Sequence, residues 1–112
     1  METKRTWGHW KVLDDQPTKG YKIKELLIKP GLSLSDQMHE YRTEQWLILE
    51  GVLKLFTQNA NKVSTVTLYP GLHFEIPAGV WHKATNVGGF DARVLEVQWG
   101  SRCVEEDILR RD

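Results

Sequence analysis

Residues 37–51 read Gln37-Met38-His39-Glu40-Tyr41-Arg42-Thr43-Glu44-Gln45-Trp46-Leu47-Ile48-Leu49-Glu50-Gly51. In an extended strand side chains alternate faces, so Gln37 and His39, two apart, point the same way. Glu44 opens an apolar run, Trp46-Leu47-Ile48-Leu49, that stops at Gly51. Two strands side by side would aim the Gln37 amide, the His39 imidazole and the Glu44 carboxylate at one point. His82 supplies a second imidazole from much later in the chain. Two imidazoles and a carboxylate at one point form a first-row metal site of mixed nitrogen and oxygen character.

Outward from this stretch the chain reads as short strands between turn signals. Trp7–Leu13 is a first strand, and Asp14–Gly20 a turn. Tyr21–Lys29 alternates between Gly20 and Pro30-Gly31 and reads as a strand, as does Leu32–His39. On the latter, Leu32 and Leu34 share one face, while Gln37 and His39 fall on the other unless a bulge intervenes. Glu40–Thr43 is a turn and Glu50-Gly51 a tight corner into Val52–Phe56. Gln58–Lys62 is a hairpin loop, and Val63–Leu68 the return strand. His73–Ile76, Trp81–Asn86 and Ala92–Trp99 complete the set. Glu105–Arg111 forms one short helix or lies along the surface. About nine or ten short strands without a long helix mark an all-β sandwich, jelly roll or barrel, built as a single domain over residues 1–112.

Composition narrows the function. Fifteen basic residues balance fifteen acidic ones, which argues against nucleic-acid or membrane attraction. The charged segment Met1–Arg5 lacks the apolar core of a signal peptide, and no run reaches transmembrane length. The single cysteine, Cys103, allows no internal disulfide and suits a reducing, cytoplasmic compartment. Five tryptophans and a zero net charge agree with a homodimer, in which an exposed sheet edge would be covered.

Two spacings carry a family resemblance: Gly31-x5-Gln37-x-His39-x4-Glu44-x6-Gly51 and Gly71-x5-Pro77-x-Gly79-x2-His82-x3-Asn86. Together they resemble the two motifs of the cupin superfamily, small jelly-roll barrels also described as double-stranded β-helices, with Gln37 in place of the usual first histidine. Over nearly the whole chain, the sequence resembles the C-terminal cupin half of the bifunctional phosphomannose isomerase/mannose-1-phosphate guanylyltransferases. Trp7-Gly8, Gln37-Met38-His39, Arg42, Glu44, Trp46, Ile76-Pro77-Ala78-Gly79, Glu96-Val97-Gln98 and Glu106-Asp107-Ile108 carry it. Glu40, Tyr41 and Gln45 stand where that family has histidines. The resemblance is confined to the isomerase half, so nucleotidyl transfer is not among its implications.

The resemblance implies a divalent metal held by His39, Glu44 and His82. Fe, Mn, Co, Ni or Zn suits that set. Gln37 is either a fourth ligand through its amide oxygen or a hydrogen bonder behind the ligands. The implied reaction is that of mannose-6-phosphate isomerase, an aldose–ketose isomerisation on a small-molecule sugar phosphate. That reaction needs a base to move a proton through an enediol and an electrophile for the oxyanion. Glu96 is the candidate base, or else a buried carboxylate paired with an arginine. Arg42 is the candidate phosphate grip, or else a surface partner of a neighbouring glutamate; Lys83 and Arg110 are weaker phosphate candidates. Trp46 and Trp81 line the pocket or pack the core. Two other functions fit the same residues: a metal-containing sugar-binding cupin without turnover, and an Fe-dependent small-cupin dioxygenase.

Overall fold

Period-two alternation does most of the building. In the computed structural model, which describes residues 2–111, eleven strands form two antiparallel sheets. The first sheet runs in the order β1 (Glu2–Arg5), β2 (Gly8–Gln16), β3 (Tyr21–Ile28), β10 (Ala92–Gly100), β5 (Arg42–Glu50), β8 (His73–Ile76). The second runs β11 (Leu109–Arg110), β4 (Gln37–Met38), β9 (Trp81–Asn86), β6 (Leu53–Asn59), β7 (Lys62–Leu68). The inner faces of the two sheets enclose the core, as the sequence predicts for a jelly-roll barrel.

Register places the inward residues in layers. On β10, Val94 sits opposite Leu26 of β3 and Ile48 of β5; one layer on, Glu96 sits opposite Lys24 and Trp46; one further, Gln98 sits opposite Lys22 and Glu44. All of these side chains are buried. The interior is therefore divided along the strands. One end is apolar, built from Ile28, Ile48, Leu53, Leu55, Ala84, Ala92 and Val94. The other end is ionic and amidic. Each fully buried Leu or Ile at the apolar end stabilises the fold by roughly 1.5–3 kcal/mol, and that end anchors the polar one.

At the apolar end Gly51 makes the predicted corner. Its φ is +86°, and a Cβ there would lie 2.7 Å from Ala92 Cα, so the turn requires glycine on two counts. Asn86 closes the same end: its Nδ2 donates to the carbonyls of Ile28 and Phe90, both at 2.8 Å, and its Oδ1 accepts from Gly88 N at 2.9 Å.

Several stretches differ from the sequence expectation: Glu2–Arg5 forms an unforeseen strand, β5 starts at Arg42 within the expected turn, and β6 runs on to Asn59. The first predicted strand runs on to Gln16, because a bulge between Val12 and Asp14 lets it keep pairing with β3 into the expected turn. Leu32–His39 is not a continuous strand. It makes one bridge, Ser33 to Thr85, then irregular chain, then the two-residue β4. That break resets the parity, so Leu34, Gln37 and His39 all face one cavity. The tail forms no helix among the described residues; Leu109 and Arg110 pair with Met38 and Gln37 instead.

Candidate metal centre

His39, Glu44 and His82 come together at the polar end of the barrel. Each is at most 3% exposed, and their ligand atoms lie within 4.8 Å of one another. His39 Nε2 stands 3.2 Å from Glu44 Oε2, and His82 Nε2 stands 3.8 Å from Glu44 Oε1. The three arrive from separate elements: His39 just beyond β4, Glu44 on β5, His82 on β9. Gly79 N donates to the His39 carbonyl at 2.8 Å, which ties the second spacing motif to the first.

Both imidazoles are oriented from behind. His39 Nδ1 donates to the Asp107 carbonyl at 2.6 Å, and His82 Nδ1 donates to the Val80 carbonyl at 3.1 Å. With Nδ1–H committed, each ring turns a bare Nε2 toward Glu44. Burial, and next the Arg42 guanidinium, lower the His39 pKa to about 4, so its ring is neutral at physiological pH, as a ligand must be. The donor set thus fits a divalent ion. Gln37 lines the same cavity and is the ladder partner of His82, which puts it beside the cluster.

Arg42 is not at the surface. It is 5% exposed, with Nε and Nη2 each 3.0 Å from Glu44 Oε2 and Nη1 donating to the Val104 carbonyl at 3.1 Å. Its Nη2 also lies 3.3 Å from His39 Nε2, consistent with an unprotonated acceptor there. The neighbouring glutamate foreseen as its alternative partner is Glu44, met inside the barrel. Trp46 Nε1 donates to the other Glu44 oxygen at 3.3 Å.

Glu96 faces the same cavity. Burial, followed by the charge of Glu44, pushes its carboxyl up to about 7, against the opposing pull of Lys24, Arg42 and the Gln98 amide. Gln98 Nε2 donates to Glu96 Oε1 at 2.5 Å, while the fully buried Gln98 Oε1 has no hydrogen-bond partner. The cavity has a volume of about 410 Å³ and is lined by Gln37, His39, Arg42, Glu44, Trp46 and Glu96 among others, a size that suits a small ligand. His82 is not part of its wall; it lies edge-on to Trp46. Trp81 points away from the barrel, with Arg111 stacked on its ring at 4.3 Å. Arg110 reaches the cavity, whereas Lys83 does not.

Several residues of the site carry no local signal in the sequence. Asp107 is the main one. Its Oδ1 and Oδ2 accept from the backbone nitrogens of Glu40 and Tyr41 at 2.9 and 3.0 Å, while its carbonyl holds His39. One tail residue thus fixes the ligand-bearing loop. The side chains of Glu40, Tyr41 and Gln45 are exposed, so the positions that depart from the family pattern lie outside the cluster. Lys22, Lys24 and Glu105 also belong to the polar end; the alternation of β3 turns the two lysines inward, although charged residues default to solvent, and Glu105 reaches them from the irregular tail.

The whole described chain has counterparts among known proteins. Residues 1–112 match the family described as mannose-6-phosphate isomerase C-terminal. The chain is 33% identical over 110 residues to mannose-1-phosphate guanylyltransferase 2 of Escherichia coli O157:H7, covering 98% of this chain and 22% of that protein. It therefore spans about a fifth of the length of the curated relatives it matches. Among solved structures, the capsular polysaccharide assembling protein CapF of Staphylococcus aureus superposes with a TM-score of 0.86 at 16% identity, over 100% of this chain and 34% of that one. The Cnp3 cupin domain of Schizosaccharomyces pombe superposes with a TM-score of 0.73 at 15% identity, over 82% of this chain and 64% of that one. These likenesses establish the fold: the two-sheet barrel is a cupin.

Proposed function

The chain belongs to the mannose-6-phosphate isomerase C-terminal family, and from that membership we propose a metal-dependent cupin that interconverts mannose 6-phosphate and fructose 6-phosphate. One observation carries the proposal: a buried His39–Glu44–His82 cluster shares a barrel end with a carboxyl, Glu96, that exchanges its proton near neutrality. His39, Glu44 and His82 would hold the ion, with Gln37 as a fourth donor. When bound, the ion supplies Lewis-acid stabilisation to the developing oxyanion. Glu96, its carboxyl raised by burial, takes the proton from C2 and returns it to C1 while the hydroxyl proton passes from O2 to O1. Gln98 holds Glu96 in place by its amide. Arg42 orients Glu44 through the contacts of Nε and Nη2 with Oε2. Mannose phosphate is also the substrate in the name of the guanylyltransferase relative. A cytoplasmic location and a homodimer complete the proposal; among the described residues no helix is long and apolar enough to cross a membrane.

The test combines elemental analysis with a coupled mannose 6-phosphate assay on metal-loaded protein. His82→Ala should lose the metal and the turnover together while keeping its β-rich circular dichroism. Unchanged metal content in that variant would remove the site. Tight binding of mannose 6-phosphate without turnover would make the protein a binding module, and Fe(II)-dependent oxygen uptake would make it a dioxygenase.

A further inference from the structure

The inward row of β3 is Lys22, Lys24, Leu26, Ile28. Leu26 and Ile28 belong to the apolar end. Lys22 and Lys24 are 6% and 4% exposed, and lysines are almost never buried to that degree without a partner. They share one carboxylate oxygen. Glu105 Oε2 lies 2.6 Å from Lys24 Nζ and 3.3 Å from Lys22 Nζ. Lys22 also has Asp15 Oδ2 at 3.9 Å, and Lys24 Nζ lies 3.8 Å over the Trp10 ring. Glu105 itself differs from the lysines it serves. Its side chain is 44% exposed, and it sits in the irregular tail between β10 and β11. Two ammoniums are thus fixed on a strand, inside the barrel, and the carboxylate they share is borne by a half-exposed side chain of the irregular tail.

Lys24 and Glu105 line the same cavity as His39, Glu44 and Glu96. We propose that Lys22 and Lys24 form the phosphate subsite of this cavity, and that Glu105 occupies it in the free protein as an internal stand-in which a phosphate monoester displaces. The fit is one of charge and of acceptor count. A phosphate monoester brings close to two negative charges and three terminal oxygens to a pair of ammoniums that now share one oxygen. Lysine suits this role as a compact donor with several rotatable N–H groups. Arg42, whose fork is spent on Glu44 and Val104, is left to the metal cluster. The inference deepens the sugar-phosphate function proposed above and rests on it for the identity of the ligand.

The experiment is a set of direct titrations with mannose 6-phosphate, inorganic phosphate and mannose, on the full chain, read by calorimetry and by thermal shift. Glu105→Gln frees the lysines without removing a packed side chain. It should tighten mannose 6-phosphate and inorganic phosphate by about tenfold and leave mannose unchanged. The same variant should melt lower than the parent in phosphate-free buffer and regain more on adding phosphate, because the carboxylate shared by Lys22 and Lys24 is gone and Lys22 is left with only the 3.9 Å contact to Asp15. Lys24→Gln should weaken both phosphates by about tenfold, and Lys24→Arg should recover part of that loss. Phosphate affinities that ignore both Glu105 and Lys24 would overturn the subsite, even in a protein that isomerises mannose 6-phosphate. Conversely, the Glu105 and Lys24 effects in a protein without isomerase activity would uphold the subsite and overturn only the reaction.

Discussion

Glu96→Gln in metal-free protein should stabilise the fold, and only at higher pH. Glu96 is buried, and desolvation, then Glu44, pushes its carboxyl from 4.5 up to about 7. A carboxyl whose folded pKa is raised keeps its proton in the folded state after the unfolded chain has lost it. Its contribution is therefore fully present below 4.5 and is lost as pH rises through 7. The gap between 4.5 and about 7 corresponds to roughly 3 kcal/mol. Glutamine imitates the protonated acid in shape and can still accept from Gln98 Nε2, so near pH 4.5 the two proteins should be close in stability. By pH 8 the variant should be ahead by up to roughly 3 kcal/mol. His39, held near 4, acts in the other direction: its contribution is present above 6.5 and lost as pH falls toward 4. Both proteins carry that loss, so it largely cancels in the difference. Urea unfolding in EDTA at several pH values between 5 and 8 gives the measurement. A difference that stays flat across that range would show that Glu96 is not charged at a cost inside the barrel.

Asn86→Ala removes both donations to Ile28 and Phe90 and the acceptor of Gly88 N. Urea unfolding should show a loss of roughly 2–4 kcal/mol, since buried carbonyls are left unpaired. Asp107→Ala removes the carboxylate that holds the amides of Glu40 and Tyr41. Competition with a chelator should show metal affinity lowered by about 10-fold to 100-fold, as for other residues that orient a ligand. Gly100→Ala would place a Cβ 2.2 Å from the Tyr41 carbonyl oxygen at a φ of +151°. Its midpoint of chemical denaturation should fall by an amount equivalent to about 3 kcal/mol or more.

Strands whose partners and alternation are both regular were legible in the sequence. His73–Ile76 and Trp81–Asn86 have the bounds that their turns and parity predict. So does the inward direction of Glu96, which follows from Val94 and Gln98. Leu32–His39 was not legible as it stands. Its backbone bonds go to Ala84 and Asn86 in an irregular pattern, and a single skipped residue moves every later side chain to the other face. The convergence of His39, Glu44 and His82 was legible because their spacings belong to a family resemblance, not to local propensity. The tail was opaque for a physical reason. Glu105 acts on residues 81 and 83 positions away, and Asp107 on residues 66 to 68 away. No periodicity inside Ser101–Asp112 encodes such partners. Arg42, expected as a phosphate grip or else as a surface partner of a glutamate, is instead buried on Glu44; its burial follows from sharing the inward parity of Glu44 and Trp46.

The lengthwise division of the barrel interior has a consequence for how such a protein can change. On β3, β5 and β10 the apolar residues that hold the sheets together and the polar ones that line the cavity occupy the same inward row at different heights. Substitutions at 24, 44 or 96 alter the cavity wall, while Ile28, Ile48 and Val94 continue to close the other end. The apolar closure and the polar cavity therefore draw on separate positions of the same strands. New ligands or chemistries can be tried at one end of the barrel while the other keeps the chain folded.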